Sequence, residues 1–169
     1  MVLLLQYTLI FASVLILVAL GGCFSEHSGV VNIGLEGIMV MGALGGALMM
    51  KYLPSTMAAP LVILLVILGS VIVGMVFSLF LGVAAIHFNA DQTLVGTALN
   101  LLGPAAAVVI VRAINMSESI DNVSSTVAYK EAKKAFLVNI GKFEFSWFML
   151  LALLILIASY IILYKTKFG

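Results

Sequence analysis

Charge is what this sequence has least of. Its 169 residues hold eight Lys and Arg against seven Asp and Glu, 9% of the chain. A soluble domain carries about 25%. That scarcity excludes a disordered chain, a coiled coil and an ordinary water-soluble domain. Cysteine occurs once, at Cys23, which excludes an internal disulfide and a cysteine-rich metal site. The net charge of +1 gives no footprint for nucleic acid or an acidic substrate. Nucleotide chemistry is missing too. Gly141-Lys142 is the only Gly-Lys pair, and Phe136 stands where a phosphate-binding loop needs its first glycine. There is no His-Glu-x-x-His, no Gly-x-Ser-x-Gly and no dinucleotide-binding glycine fingerprint. Any ATP used by this protein is hydrolysed on another chain, and no cofactor is expected on this one.

What is there is apolar. Hydrophobic residues make up 64% of the chain and the mean hydropathy is +1.29, as expected when lipid covers most of the surface. The gaps between charges mark the spans. No Asp, Glu, Lys or Arg occurs from Met1 to Ser25, Gly37 to Met50, Tyr52 to Ala90, Gln92 to Val111 or Phe145 to Tyr164. About 20 residues of helix cross a 30 Å hydrocarbon core. The pattern predicts an all-α polytopic bundle over 1–169, with about five membrane helices near 2–22, 35–52, 59–86, 94–112 and 146–164. The third is long enough to tilt or to bend at Gly69 or Gly74. The second is barely long enough, which suits a discontinuous or shallow helix. An extramembrane loop is expected over 113–145. Its piece Tyr129–Phe136 has the pattern of a short amphipathic helix, and Asn115-Met-Ser117 and Asn122-Val-Ser124 have the form of glycosylation sequons. Leu20-Gly21-Gly22-Cys23 has the shape of a lipidation site. A signal peptide needs a basic start, however, and the first Lys or Arg is Lys51.

Three features carry information. Phe24–Gly37 packs two carboxylates, a histidine, an asparagine and three glycines between two apolar helices. A helix starting near Asn32–Gly34 points its free N–H groups into this segment. The simplest reading has Asn32 capping that helix and Glu36 complementing its dipole. The functional reading has Asn32 and Glu36 hydrogen-bonding a polar solute, because ionisable groups inside membranes are costly. Gly29, Gly34 and Gly37 would permit a backbone bend. Second, Ser70, Gly74, Ser78 and Gly82 recur every four residues, as do Gly42 and Gly46, and such stripes let helix backbones approach closely in lipid. Third, Thr93, Thr97, Asn100 and Pro104 share one face of the fourth helix, and Pro104 leaves the carbonyl of Asn100 without its helical donor. That face lines a solute path or bonds a neighbouring helix. Asp91, Gln92 and His87 read as interface residues.

The run Gly21-Gly22-Cys23-Phe24-Ser25-Glu26-His27-Ser28-Gly29-Val30-Val31-Asn32-Ile33-Gly34-Leu35-Glu36-Gly37 closely resembles a segment of bacterial ABC-importer permeases of the simple-sugar and nucleoside type, related to branched-chain amino acid permeases. His27 stands where that group usually has Arg. Phe88–Asn100 and Tyr164–Gly169 resemble two further segments, in the same order. The resemblance implies a type II importer fold in the cytoplasmic membrane, alternating access, a second permease subunit, a separate ABC ATPase and an extracellular solute-binding protein. It implies nucleosides or simple sugars as solutes. The polar residues themselves mark Asn32, Glu36, Thr97 and Asn100 as the expected path residues. Such permeases run to roughly 300 residues or more, so the chain reads as an N-terminal half. Relatives would place Lys165 and Lys167 in the cytoplasm and the long loop outside. A positive-inside count gives the opposite, with Lys51, Arg112, Lys130, Lys133, Lys134 and Lys142 on the loop side. An outer loop with Lys130, Lys133 and Lys134 would suit docking of an acidic binding-protein lobe. The competing reading is a small non-transporting scaffold or a non-functional permease fragment. An intramembrane enzyme lacks any nucleophile–base pair that can be placed.

Overall fold

The computed structural model describes residues 2–54, 56–127, 137–140 and 143–166. Five helices account for most of it: α1 (Val2–His27), α2 (Leu35–Tyr52), α3 (Ala59–Ile86), α4 (Gln92–Glu118) and α5 (Trp147–Lys165). A hairpin of β1 (Leu137–Ile140) and β2 (Phe143–Ser146) precedes α5, antiparallel, with Leu137 opposite Ser146 and Ile140 opposite Phe143. Four of the helices, all but α2, are long and apolar enough to cross a membrane. The architecture is the helical, polytopic one that the charge-free gaps predict.

The helix ends follow local chemistry. Gly29, at φ +84°, ends α1. The Val30 amide donates to the Ser25 carbonyl and the Gly29 amide to that of Glu26, a Schellman arrangement that needs a residue tolerant of positive φ. α1 therefore runs through Gly21-Gly22 to His27, five residues past its expected end. Pro60 lies in the first turn of α3, where a missing N–H costs nothing. Asp91 caps α4, its carboxylate accepting from the amides of Thr93 at 2.8 Å and Leu94 at 3.2 Å. Ser146 caps α5 through the Phe148 amide.

Three expectations change. α2 is one unbroken helix of 18 residues, not a discontinuous one. α3 is continuous past Gly69 and Gly74, because both glycines serve contact with α2 rather than a bend. α4 passes through Pro104 and continues to Glu118, six residues beyond the expected end, so the loop starts later than residue 113.

The chain divides into two compact units, Met1–Val30 with Phe136–Gly169, and Val31–Ala135. In the first, α1 packs on α5 through small residues: Ser13, Ala152 and Ser159 are buried. The C-terminal halves of both helices line one groove of about 730 Å³, from Leu20 to His27 on α1 and from Leu156 to Tyr164 on α5, so the two helices run in the same direction. In the second unit, α2 packs on both α3 and α4. Leu44, Val62, Val66, Phe77, Leu81, Leu99 and Val111 form its core. Long apolar side chains elsewhere stay exposed, Leu101 at 78% among them, as suits a surface solvated by lipid.

Candidate functional site

The α2–α3 contact is made by glycine. A Cβ on Gly45 would sit 2.7 Å from the Gly69 carbonyl oxygen, and one on Gly46 would strike the Ser70 hydroxyl. Gly42 faces Ser70 and Gly74. As the α2 numbers rise the α3 numbers fall, so these helices are antiparallel. The expected stripe thus divides. Gly42, Gly46, Ser70 and Gly74 lie in the contact, whereas a Cβ at Gly82 would meet nothing within 4 Å. The Ser78 hydroxyl donates to its own helix at the Met75 carbonyl.

The α2–α4 contact is closer still. A Cβ on Gly37 would run into the Leu99 carbonyl, and one on Gly103 would sit 2.7 Å from Gly37 Cα and from its carbonyl oxygen. Gly34 and Gly96 face each other in the same way, a Cβ on Gly96 falling 2.9 Å from the Gly34 nitrogen. On α4, Gln92, Gly96, Asn100 and Gly103 follow at spacings of four, four and three and so share a face. Backbone lies against backbone along that face, and the two amide side chains grip it. The Val31 amide donates to Gln92 Oε1 at 2.8 Å. Asn100 Nδ2 donates to the Ile33 carbonyl at 2.9 Å, and the Gly37 amide donates to Asn100 Oδ1 at 2.9 Å.

Asn32 therefore does not cap α2. Gly34 holds the N-cap position with no side-chain bond, and Asn100 supplies the cap from another helix. Asn32 Oδ1 is buried and has no hydrogen-bond partner among the described residues. Glu36 is exposed in the first turn of α2, where the helix dipole favours its charge, and makes no hydrogen bond or ion pair among the described residues. Thr97 turns its hydroxyl back to the carbonyls of Thr93 and Leu94. Of the three glycines proposed for a bend, Gly29 alone has positive φ; Gly34 and Gly37 serve close approach.

At the far end of the same helix pair sits a cluster that sequence reading missed. Lys51 Nζ pairs with Glu118 at 3.0 Å and donates to Asn115 Oδ1 at 3.3 Å. Asn115 is 3% exposed, and its Nδ2 donates to the carbonyls of Ser124 and Thr126. Both ends of its amide are thus used. Gly34 faces Gly96 at one end and Lys51 meets Asn115 at the other, so α2 and α4 run in the same direction. The four-residue recurrence of Gln92, Gly96 and Asn100 was the available signal for the first contact. Nothing local marks Asn115.

In the other unit, Cys23, Glu26, His27, Tyr160 and Tyr164 line the groove described above, and Cys23 is exposed and free. Among the described residues no group of three His, Cys, Asp or Glu side chains is placed to hold a metal ion. Lys130, Lys133 and Lys134, with Tyr129–Phe136, lie outside the described residues.

A family profile described as branched-chain amino acid transport system / permease component matches residues 4–169. The chain is 41% identical over 170 residues to a guanosine ABC transporter permease protein of Bacillus subtilis, covering 96% of this chain and 52% of that protein. It is 34% identical over 167 residues to a nucleoside ABC transporter permease protein of Lactococcus lactis, covering 95% and 51%. A putative glucose ABC transporter permease protein of Haloferax volcanii is 54% identical over 43 residues, 25% of this chain and 13% of that one. The chain spans about half the length of the first two relatives. No solved structure matches it.

Proposed function

The chain belongs to the branched-chain amino acid transport system permease family, and from that membership we propose that it forms part of the membrane path of an ABC importer for nucleosides. It is a multi-pass protein of the cytoplasmic membrane. The observation that carries the solute class is the likeness to the guanosine permease, which extends over 96% of this chain, against 25% for the glucose relative. Solute moves by alternating access in this reading. A solute-binding protein delivers it, a second permease subunit completes the path, and a separate ATPase drives the switch. Lys130, Lys133 and Lys134 are the proposed docking cations for the binding protein.

Within the path we assign the solute contact to the start of α2. Glu36 supports this assignment, as an exposed carboxylate without a protein partner among the described residues, four residues on from Asn32, whose Oδ1 is buried and unpartnered among them. A nucleoside offers hydroxyl and N–H donors to such acceptors. Thr97 lies on the α4 side of the same region, where Asn100 holds the backbone of that segment. The test is Glu36→Gln in the assembled transporter, read by uptake of labelled guanosine. The expected result is a loss of about tenfold or more in uptake at low concentration, the scale of a hydrogen bond to a charged group. Normal rate and affinity would remove Glu36 from the path.

A further inference from the structure

We propose that Gln92 and Asn100 are positioning residues: α4 side chains that fix the course of the segment bearing Asn32 and Glu36, without touching the solute. This rests on the assignment of solute contact to the start of α2. The chain between α1 and α2 leaves helical geometry from Ser28 to Gly34, and the first N–H groups of α2 lack helical partners. At a helix start each such group needs an acceptor from outside the helix. Gln92 takes the Val31 amide and Asn100 takes the Gly37 amide, while Asn100 also covers the Ile33 carbonyl. Each end of the Asn100 amide thus holds backbone, on both sides of Gly34. Gly96, Gly37 and Gly103 make the grip possible, since a Cβ at any of them would push the segment off α4. Asn32 and Glu36 sit inside the span so held, between Val31 and Gly37. Their side chains are therefore aimed by α4, one helix face away from the residues themselves.

The test uses the assembled permease with hydrogen–deuterium exchange read at single amides, which requires no transported solute. Asn100→Leu is expected to speed exchange at Gly37 by about tenfold, the scale of one net hydrogen bond, and Gln92→Leu to do so at Val31 alone. Asn100→Asp keeps an acceptor for the Gly37 amide and should leave that amide protected while releasing the Ile33 carbonyl. Unchanged Gly37 exchange in Asn100→Leu would overturn the proposal. If Asn100→Leu loosens the whole α2–α4 pair, the decision passes to Asn100→Asp and Gln92→Leu, whose effects must stay at the named amides. Labelled-guanosine uptake supplies a second readout. Its loss should be greater in Asn100→Leu than in Asn100→Asp, and the Asn100→Leu/Glu36→Gln double variant should be no worse than the poorer single one, as expected when one residue acts through another. Additive losses would mean that Asn100 contacts solute directly and would overturn the positioning role. Normal uptake by Glu36→Gln would sink the solute assignment alone, and the exchange results would still decide whether α4 holds the segment.

Discussion

Lys51 is a cation in an apolar helix with a side chain only 9% exposed. Such a charge persists only when paired and hydrogen-bonded. Glu118 supplies the charge and Asn115 the hydrogen bond, and Asn115 in turn holds the chain at Ser124 and Thr126. One buried amide thus joins the end of α2, the end of α4 and the start of the long loop. Lys51→Met should lower stability by about 1–3 kcal/mol, because it leaves the Asn115 oxygen without a donor. A melting curve in detergent measures this, and an unchanged midpoint would remove the cluster from the account. At this scale the sequence was only partly legible. Glu36, Asn32 and Asn100 stood out because polar groups are rare in this chain. The long-range pairings did not, since Asn100 and Gly37 lie 63 residues apart and Lys51 and Asn115 lie 64 apart. Asn32 read as a cap for the same reason: local spacing favours the near asparagine, while the fold uses the distant one.

Between elements, packing is decided by glycine position. Small residues bring helices together in lipid, where no hydrophobic effect does so. The four-residue recurrence picked out Gly42, Gly46, Ser70 and Gly74, which lie in the α2–α3 contact. It also picked out Ser78 and Gly82, which do not contact α2. The reason is length: Gly74 already faces Ile38, near the start of α2, and the next two turns of α3 project beyond it. Gly96 and Gly103 bring α4 backbone against α2 backbone yet sit seven apart among larger residues, so they gave a weaker signal. Gly103→Ala is therefore expected to cost about 1–3 kcal/mol by forcing α2 from α4. Gly82→Ala meets open space and should be neutral or gain up to about 1 kcal/mol from helix propensity. Equal melting points for the two variants would contradict backbone contact at Gly103. Helix bounds were legible to within a few residues because charges flank each apolar run. α4 ran past Arg112 because its last turns bind Lys51 through Asn115 and Glu118, a tertiary contact that overrides local polarity.

At the scale of the whole chain, direction follows from connectivity. α1 and α5 run the same way, so the chain leaves α1 on one membrane face and enters α5 from the other. It must cross an odd number of times in between. α3 and α4 are long and apolar enough to supply two crossings, and α2, which is not among such helices, is expected to supply the third. Its 18 residues rise about 27 Å, close to a hydrocarbon core, with Glu36 and Lys51 at its two ends. Single-cysteine variants in a Cys23→Ser background test this. Val31→Cys and His87→Cys should label from one face, and Tyr52→Cys and Ser119→Cys from the other. Labelling of Val31→Cys and Tyr52→Cys from the same face would make α2 a surface helix.

The central claim is that this chain is part of a nucleoside path. Labelled-guanosine uptake in cells lacking other nucleoside carriers tests it most directly, with the gene for this chain deleted and then restored. The account predicts uptake at background on deletion, recovery with the wild-type chain, and glucose uptake unaffected throughout. Guanosine uptake that persists without the chain would contradict it.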